Sequence, residues 1–276
     1  MIINNNITAM NANRQMGINQ NAQQSNMEKL SSGMRINKAG DDAAGLSISE
    51  KMRGQINGLD QASRNAQDDV SLIQTAEGAM SETHSILQRM REISVQSAND
   101  TNSTEDREAL QNEMDQLIEE VDRISDDTQF NGKNLINGDA TGSGALNFQI
   151  GANEGESIDL EINSMSASGV GISGLAGSGI TSVSGAESAI TTIDNAIQDV
   201  SNERSKLGAY QNRLEHTISN VDNAAENLQA AESRIRDTDM AEEMMDFTKN
   251  NILSQASQSM LAQANQQPQS VLQLLQ

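Results

Sequence analysis

Few side chains in this sequence have the types and the spacing that catalysis needs. His84 and His216 are its two imidazoles, and an imidazole acts as a general base when a nucleophile or a carboxylate is held beside it. Both histidines lie inside long helical patterns without a serine and aspartate arrangement nearby, so we interpret them as solvated or helix-packing residues. The sequence has no cysteine, which excludes disulfides, thiolate metal sites and cysteine nucleophiles.

One glycine motif could indicate a nucleotide site. Gly169, Gly171 and Gly174 fit the spacing GxGxxG, but a dinucleotide site needs a strand before the glycines and a helix that opens on them. The surrounding sequence predicts neither, and GxSxG, HExxH and GxxxxGK motifs do not occur. We therefore predict no catalytic, cofactor-binding or metal-binding residue and no enzyme activity.

The stretch LSSGMRINKAGDDAAGLSISEKM, from Leu30 to Met52, separates two helical patterns. Serines and Gly33 end the first pattern, and the carboxylates of Asp41 and Asp42 precede the second. A carboxylate at this place can accept hydrogen bonds from the free first-turn N–H groups and suits the positive end of the helix dipole. A plain cap and turn explains these residues as well as a functional role does.

Charge is concentrated in the middle of the chain. The net charge is −21, and the segment from Asp100 to Glu161 holds 16 acidic and three basic residues. Such an acidic centre repels nucleic acid and anionic membranes, so we expect neither as a partner. The N-terminal residues lack the basic and apolar regions of a secretory signal, and no apolar run approaches the roughly 20 residues of a membrane-spanning helix.

Apolar periodicity predicts long helices in place of a large globular core. Hydrophobic residues make up 36% and aromatic residues 1% of the sequence, which is little for one large core. Heptad steps predict helices over about 45–98 and 186–237, and between Ile193 and Ile235 an apolar residue recurs every seven positions. Their similar lengths indicate antiparallel packing. A third helix is predicted over 104–128, after a capping-box pattern at Ser103.

The sequence between these helices changes character. Asn-Gly dipeptides at positions 131 and 137 are typical of tight turns with positive φ, and alternating residues nearby predict short strands, so we expect a β-hairpin region over about 130–163. Residues 164–185 are rich in glycine and serine and predict a flexible or loosely packed connection. The predicted fold is mainly α: a long antiparallel coiled-coil-like helix bundle with a small β-hairpin region at one end.

The two ends of the chain are rich in Asn and Gln and carry thin apolar stripes. Uncharged helices of this kind bury well against copies of themselves because no charge is desolvated; frayed tails are the alternative, and the apolar spacing at both ends favours ordering on assembly. We predict a terminal domain of residues 1–44 and 239–276 and a rod domain of residues 45–238. The predicted terminal packing residues are Ile3, Ile7, Met10, Phe247, Ile252, Met260, Leu274 and Leu275.

Five segments together closely resemble bacterial flagellin. They are MIINNNITAMNANRQ, LSSGMRINKAGDDAAGLSISEKMRGQ, LQRMREISVQSANDTNS, RISDDTQFNGKNLING and FTKNNILSQASQSMLAQANQQPQSVLQLLQ, in order along nearly the whole chain. The sequence resembles a short flagellin that has the terminal and rod regions without the large variable outer domains of longer relatives. The resemblance implies a structural subunit that polymerises with itself into the bacterial flagellar filament, the propeller of motility.

The resemblance also implies where each region lies in the filament. The terminal domain would form the inner filament core, and the rod domain would surround it. The segment from about Gly33 to Ala44 would be the spoke that joins them. Gly33, Gly40 and Gly45 would supply the bend there, and the expected intersubunit polar contacts involve Arg35, Lys38, Asp41 and Asp42.

Export and partners follow from the same resemblance. It implies an extracellular protein that leaves by the type III export apparatus without a cleaved signal peptide, meets an export chaperone, polymerises beneath a cap protein and adjoins hook-filament junction proteins. The flagellin-sensing Toll-like receptor of animals is a further expected partner. Its expected contacts lie on an exposed helix face and are Arg89, Ile93, Gln96 and Glu113, with Ile93 where many activating members have leucine.

Two other functions stay open at this point. A hook-filament junction protein has a related design, although the low aromatic content and the filament-type tail count against it. A secreted adhesin or receptor-binding module would use the Gly/Ser-rich segment, which is short and lacks aromatic anchors.

Overall fold

The computed structural model of this protein describes residues 6–274, including their side chains except those of Ser143 and residues 267–274. The described helices are α1 (Ile7–Ser32), α2 (Ala43–Ser97), α3 (Thr104–Asp127), α4 (Val183–Arg236) and α5 (Met240–Leu274). Four short strands between α3 and α4 form two antiparallel hairpins, β1 (Gln129–Phe130) with β2 (Lys133–Asn134) and β3 (Leu146–Gln149) with β4 (Ser157–Leu160). The mainly α prediction is confirmed, and α2, α3 and α4 end within three residues of their predicted limits.

Contacts divide the chain into two compact units. The terminal unit comprises Met1–Gly54 and Glu226–Gln276, and the central unit comprises Gln55–Ala225. This division falls inside α2 and α4, whereas the predicted terminal and rod domains change over at residues 44 and 239. Those domains describe the subunit within a filament and stay a prediction.

The heptad positions form the core of the central unit. Two ion pairs join its helices, Arg91 with Asp194 (2.6 Å) and Arg204 with Glu77 (3.6 Å), so residue numbers rise along α2 as they fall along α4. The two helices are therefore antiparallel, as their lengths indicated. The apolar residues between them are fully buried and include Ile73, Met80 and Leu87 of α2 and Ile193, Val200, Leu207 and Leu214 of α4.

Helix α3 begins as the sequence predicts. The Ser103 hydroxyl accepts a hydrogen bond from the Asp106 N–H (3.2 Å), and the Asp106 carboxylate accepts one from the Ser103 N–H (2.9 Å). This reciprocal capping box satisfies two backbone donors that the first turn leaves free. The bond from the Ser103 N–H also lowers the pKa of the Asp106 carboxyl, because it favours the charged carboxylate.

The first hairpin forms at the first Asn-Gly dipeptide. Asn131 and Gly132 both have positive φ, 50° and 77°, which matches the two-residue turn that the dipeptide predicts. The second hairpin has a longer connection, and its register pairs Leu146 with Leu160. It is held against α4 by the Tyr210 hydroxyl, which donates to the Asp159 carbonyl (3.2 Å).

The segment of residues 164–185 corrects one prediction. The expectation of a flexible or loosely packed connection is wrong, because its apolar residues are buried in the central core; they are Met165, Ala167, Val170, Ile172, Leu175 and Ile180. Its backbone is bonded to α3 as well. The Ala167 N–H donates to Asp122 (2.7 Å), and the Gln111 amide bonds both Leu175 and Ile180.

Asp69 on α2 gives the central unit a predictable pH dependence. This carboxyl is half-buried, its Oδ2 atom lacks a hydrogen-bond donor among the described residues, and burial, reinforced by Asp68, raises its pKa from 3.8 to about 6. Between these pH values the folded state keeps a proton that the unfolded chain has lost. The free energy of unfolding therefore falls as the pH rises from about 4 to about 6.

Replacing Asp69 by asparagine should remove this loss. After allowance for solvent screening, we expect Asp69→Asn to stabilise the central unit by about 1 kcal/mol at pH 7 and to have little effect at pH 3.5. Urea unfolding followed by circular dichroism at both pH values measures the difference. Asp60→Asn, at an exposed aspartate of the same helix, is the control. An equal gain from Asp69→Asn at both pH values would contradict the role of burial.

Candidate assembly surface

Helices α1 and α5 pack along each other in opposite directions within the terminal unit. The Asn6 amide donates to the Ala264 carbonyl (2.7 Å), and further along α1 the Asn19 amide donates to the Ser257 hydroxyl (3.2 Å). Three elements of sequence therefore set this pairing: the Asn-rich start of α1, an Asn on its inner face, and small serines on α5. We call the row of contacts between these helices the polar seam.

The polar seam is buried. Asn19 is 5% exposed and Ser257 2% exposed, and Asn26 and Ser254 are buried with them. The Asn26 amide fits its surroundings in one orientation, in which it donates to the Glu243 carboxylate (3.1 Å) and accepts from the Phe247 N–H (3.2 Å). These buried polar residues were not predicted from the sequence, although Asn19 and Asn26 are seven positions apart, a spacing that places both on one helix face.

The outer faces of the same helices are apolar. Ile7 is 62%, Met10 68% and Ile252 61% exposed. Ten of the twelve large apolar side chains that the structure exposes lie on α1 or α5, among the residues whose side chains are described; they are Ile7, Met10, Ile18, Met27, Met240, Met244, Met245, Ile252, Leu253 and Met260. We call this set the outer apolar face. Most proteins expose polar side chains and bury large apolar ones, and the outer apolar face does the reverse.

Side chains are described for five of the eight predicted terminal packing residues; four of these five belong to the outer apolar face, and none of the five is fully buried. Ile7, Met10, Ile252 and Met260 are exposed, while Phe247 is half-buried. Ile3, Leu275 and the side chain of Leu274 lie outside the described residues. Packing of these residues against other copies stays a prediction.

Two open grooves follow the outer apolar face. One lies on α5 between Met244, Met245 and Ile252, beside Thr248 and Lys249. The other lies between the helices, where Thr8, Asn11, Ala12 and Gln15 of α1 meet Met260, Gln263 and Ala264 of α5. Lys249 pairs with Asp246 (3.4 Å), so the charge beside the first groove is partly balanced.

The bend after α1 is fixed by backbone hydrogen bonds. Gly33 adopts the left-handed conformation (φ 71°), which favours glycine, and its N–H donates to the Lys29 carbonyl (2.8 Å) as a helix C-cap. Arg35 then bonds the end of α4 twice, through its N–H to the Arg236 carbonyl (2.7 Å) and through its guanidinium to the Ile235 carbonyl (2.6 Å). The predicted bend at Gly33 is therefore present in the single chain.

The other polar residues of the bend also have partners within the chain. The Asp41 carboxylate accepts from the N–H groups of Lys38 (2.9 Å) and Asn37 (3.1 Å), and these bonds lower the pKa of its carboxyl. The Lys38 ammonium donates to the Glu28 carboxylate (2.7 Å), and this bond raises the pKa of Lys38. The Asp42 carboxylate accepts from the Gly45 N–H (2.9 Å) and caps α2, as one of the two aspartates was predicted to do. A role of these residues between subunits stays a prediction.

Two residues beside the bend escaped the sequence analysis. Ile36 is buried and anchors the bend, and a Cβ atom at Gly45 would collide with its side chain and with the Asp42 carboxylate. Arg236 is largely buried and pairs with Glu50 (2.8 Å). A single isoleucine among polar residues and an arginine at a helix end are too common to signal these contacts in a sequence.

The cap at Asp42 can be separated from an intersubunit role. Asp42→Ala should destabilise the terminal unit by about 1 kcal/mol, because the first turn of α2 loses its acceptor, whereas Asp42→Asn should retain most of the stability. Amide hydrogen exchange at residues 43–46 measures the effect in the monomer. In filaments of the double variant Asp41→Ala, Asp42→Ala, an additional loss of stability would indicate intersubunit contacts, and unchanged filament stability would leave the pair as a helix cap.

The expected receptor residues occupy two different environments. Arg89 and Glu113 are exposed and joined by two hydrogen bonds between α2 and α3 (2.8 and 3.0 Å), and Gln96 is exposed on α2. Ile93 is fully buried in the central core. The expectation of one exposed face is therefore wrong for Ile93, because its position on α2 turns it towards the core. Receptor contact by the other three residues stays a prediction.

Comparison with known proteins covers both ends of the chain. Residues 3–141 match the family described as the bacterial flagellin N-terminal helical region, and residues 190–275 match the bacterial flagellin C-terminal helical region. A flagellin of Halalkalibacterium halodurans is 63% identical over 275 residues, with 100% of both chains covered. A flagellin of Bacillus subtilis is 54% identical over 303 residues, again with 100% of both chains covered.

A solved structure agrees with these matches. The crystal structure of Bacillus cereus flagellin is similar with a TM-score of 0.50 and 32% identity, covering 61% of this chain and 94% of that chain. Long paired helices, an acidic centre and sparsely charged ends with exposed apolar side chains are typical of a structural protein. The chain belongs to the bacterial flagellin family.

This membership makes the chain a structural subunit of the bacterial flagellar filament, which polymerises with itself outside the cell and serves motility. The two alternatives, a hook-filament junction protein and a secreted adhesin, are not favoured by the relatives. The described helices include none that is long and apolar enough to cross a membrane.

Proposed function

We propose that the outer apolar face of α1 and α5 is the surface through which copies of this chain join the filament. One observation carries this proposal: the side chains that α1 and α5 bury are polar, namely Asn19, Asn26, Ser254 and Ser257, while ten large apolar side chains of the same helices are exposed. Exposed apolar side chains contribute no hydrophobic free energy to the stability of a monomer. A subunit that buries the outer apolar face against a second copy gains the hydrophobic free energy that the monomer leaves unused.

The size and charge of this face suit association. Full burial of one large apolar side chain contributes about 1.5–3 kcal/mol, so a few of the ten would offset a substantial entropic cost of association. The cost of desolvating charge is low, because α5 carries no charged residue after Lys249 and α1 carries only Arg14, Glu28 and Lys29. The many Gln and Asn side chains can bond one another across such an interface.

The proposal includes the predicted domains. Residues 1–44 and 239–276 would form the inner filament core, because they hold the outer apolar face, and residues 45–238 would surround them with the acidic surface facing water. The segment from about Gly33 to Ala44 would join the two regions. In this arrangement Arg35, Lys38, Asp41 and Asp42 can exchange some of their partners within the chain for partners in a neighbouring subunit.

We further propose the remaining partners on chemical grounds. An export chaperone would cover the outer apolar face before assembly, because an exposed face of this kind associates non-specifically. Export would use the type III apparatus without a cleaved signal peptide, and the cap and the hook-filament junction proteins would meet the same face at the two ends of the filament. Arg89, Gln96 and Glu113 are available to an animal Toll-like receptor. The role is structural and not catalytic.

Deletion of residues 240–276 tests the proposed surface. The truncated chain lacks α5 and should remain a soluble, partly helical protein, since the core of the central unit is retained. It should fail to extend filament seeds in electron micrographs, whereas the full chain extends them. Filaments of normal diameter from the truncated chain would refute the proposal.

A further inference from the structure

Ten methionines of this chain form two classes with opposite exposure. Of the 14 methionines, six are between 49% and 68% exposed and all lie on α1 or α5; they are Met10, Met27, Met240, Met244, Met245 and Met260. Four others are at most 3% exposed and all lie in the central unit; they are Met80, Met90, Met114 and Met165. The outer apolar face is thus built largely from the most easily oxidised apolar side chain.

A peroxide distinguishes these two classes. The thioether sulfur attacks one oxygen of hydrogen peroxide, an S–O bond forms as the O–O bond breaks, the sulfur loses two electrons, and the peroxide is reduced to water. The product is methionine sulfoxide, which is polar and chiral where the thioether was apolar. Access of the peroxide decides which sulfurs react, so the six exposed methionines should react while the four buried ones keep the central core apolar.

We propose that these six methionines are oxidation sites that control assembly, an inference that rests on the proposed function of the outer apolar face. Met244 and Met245 line the groove on α5, and Met260 lines the groove between α1 and α5. A sulfoxide in either groove places a strongly polar oxygen where a second copy would bring apolar atoms. Peroxide therefore turns the free subunit into a folded form that cannot join the filament, and assembly shields the same residues.

The test uses the full chain and hydrogen peroxide, with peptide mass mapping to locate each sulfoxide. In the free subunit, oxidation should reach the six exposed methionines at least tenfold faster than Met80, Met90 and Met114, and the circular dichroism of the helices should be retained. Seeded polymerisation of the oxidised subunit should fall at least tenfold. Enzymatic reduction by methionine sulfoxide reductases of both stereospecificities should restore it.

Two further samples separate the inference from the function on which it rests. Preformed filaments exposed to the same peroxide should show at least tenfold slower oxidation of the six residues; equal oxidation in filament and free subunit would overturn the proposed assembly surface itself. A variant with leucine at all six positions keeps an apolar face and should polymerise with or without peroxide. A control variant, Met80→Leu with Met114→Leu, should remain sensitive.

The outcomes that overturn the inference are distinct. If the fully oxidised subunit polymerises at the normal rate while filaments shield the six methionines, oxidation does not control assembly. If polymerisation stays lost after the sulfoxides have been reduced, the loss has another cause. The reductase experiment needs no variant, so it decides the matter even where the sixfold leucine variant folds poorly.

Discussion

Ile252→Asp is expected to abolish filament growth while the monomer stays folded. Ile252 is 61% exposed and lines the groove on α5, so the monomer loses little packing and its stability should change by less than about 0.5 kcal/mol. In an assembled interface the carboxylate would be desolvated without a partner. We expect this to cost about 3 kcal/mol, which raises the critical concentration for polymerisation about 100-fold.

Graded substitutions at the same position serve as controls. Ile252→Leu preserves the apolar volume and should polymerise almost normally, and Ile252→Asn, polar without charge, should fall between leucine and aspartate. Critical concentrations from sedimentation of seeded filaments give all three values, and monomer melting followed by circular dichroism gives the folding control. Normal polymerisation of Ile252→Asp would place the contact surface away from this face.

Gln111→Leu is expected to destabilise the central unit by about 3 kcal/mol. The buried Gln111 amide accepts from the Ile180 N–H (2.8 Å) and donates to the Leu175 carbonyl (2.8 Å). Leucine fills a similar volume but leaves the buried Ile180 N–H without an acceptor, which costs about 1–3 kcal/mol. The Leu175 carbonyl also loses one of its two donors and keeps only the Gly179 N–H. Residues 164–185 should then lose protection from amide exchange before the rest of the central unit.

Gln116→Leu is the matched control on the same helix. Gln116 is exposed and bonds only Glu119 on the surface (3.2 Å), so its replacement should change the free energy of unfolding by less than about 0.5 kcal/mol. Urea unfolding of both variants gives the comparison. Similar stabilities for the two variants would show that the Gln111 hydrogen bonds contribute little to holding residues 164–185.

The periodic parts of the fold could be predicted from sequence. Ile193, Val200 and Leu207 are fully buried as their seven-residue spacing requires, because a helix that places them on one face must cover that face. The capping box at Ser103 and the turn at Asn131 were also predictable, since each is specified by adjacent residues and their own backbone geometry. Features that depend only on residues close in sequence can therefore be predicted from the sequence.

The remaining features depend on contacts that are distant in sequence. Ile180 is buried because Gln111, 69 positions earlier, accepts its N–H, and nothing near Ile180 specifies that partner. The resemblance to flagellin assigned Ile93 and Arg89 to the same receptor contact. It carries no information about the face of α2 on which each residue lies, and Ile93 lies on the buried face. In the assembly surface, the apolar stripes were visible in the sequence, whereas the burial of Asn19 and Ser257 between them required the paired helices.

A polymer repeats every geometric error of its subunit many times. The polar seam prevents one such error, the sliding of α1 along α5. Apolar contacts tolerate sliding, but the amides of Asn6, Asn19 and Asn26 each reach a particular partner on α5, and a slip by one turn would separate all three pairs. These three bonds thereby fix the two helices at one axial offset within the chain. Contacts between subunits can then be made by the outer apolar face, which tolerates small shifts. The axial offset of α1 and α5, which affects the dimensions of the filament, is set within each subunit.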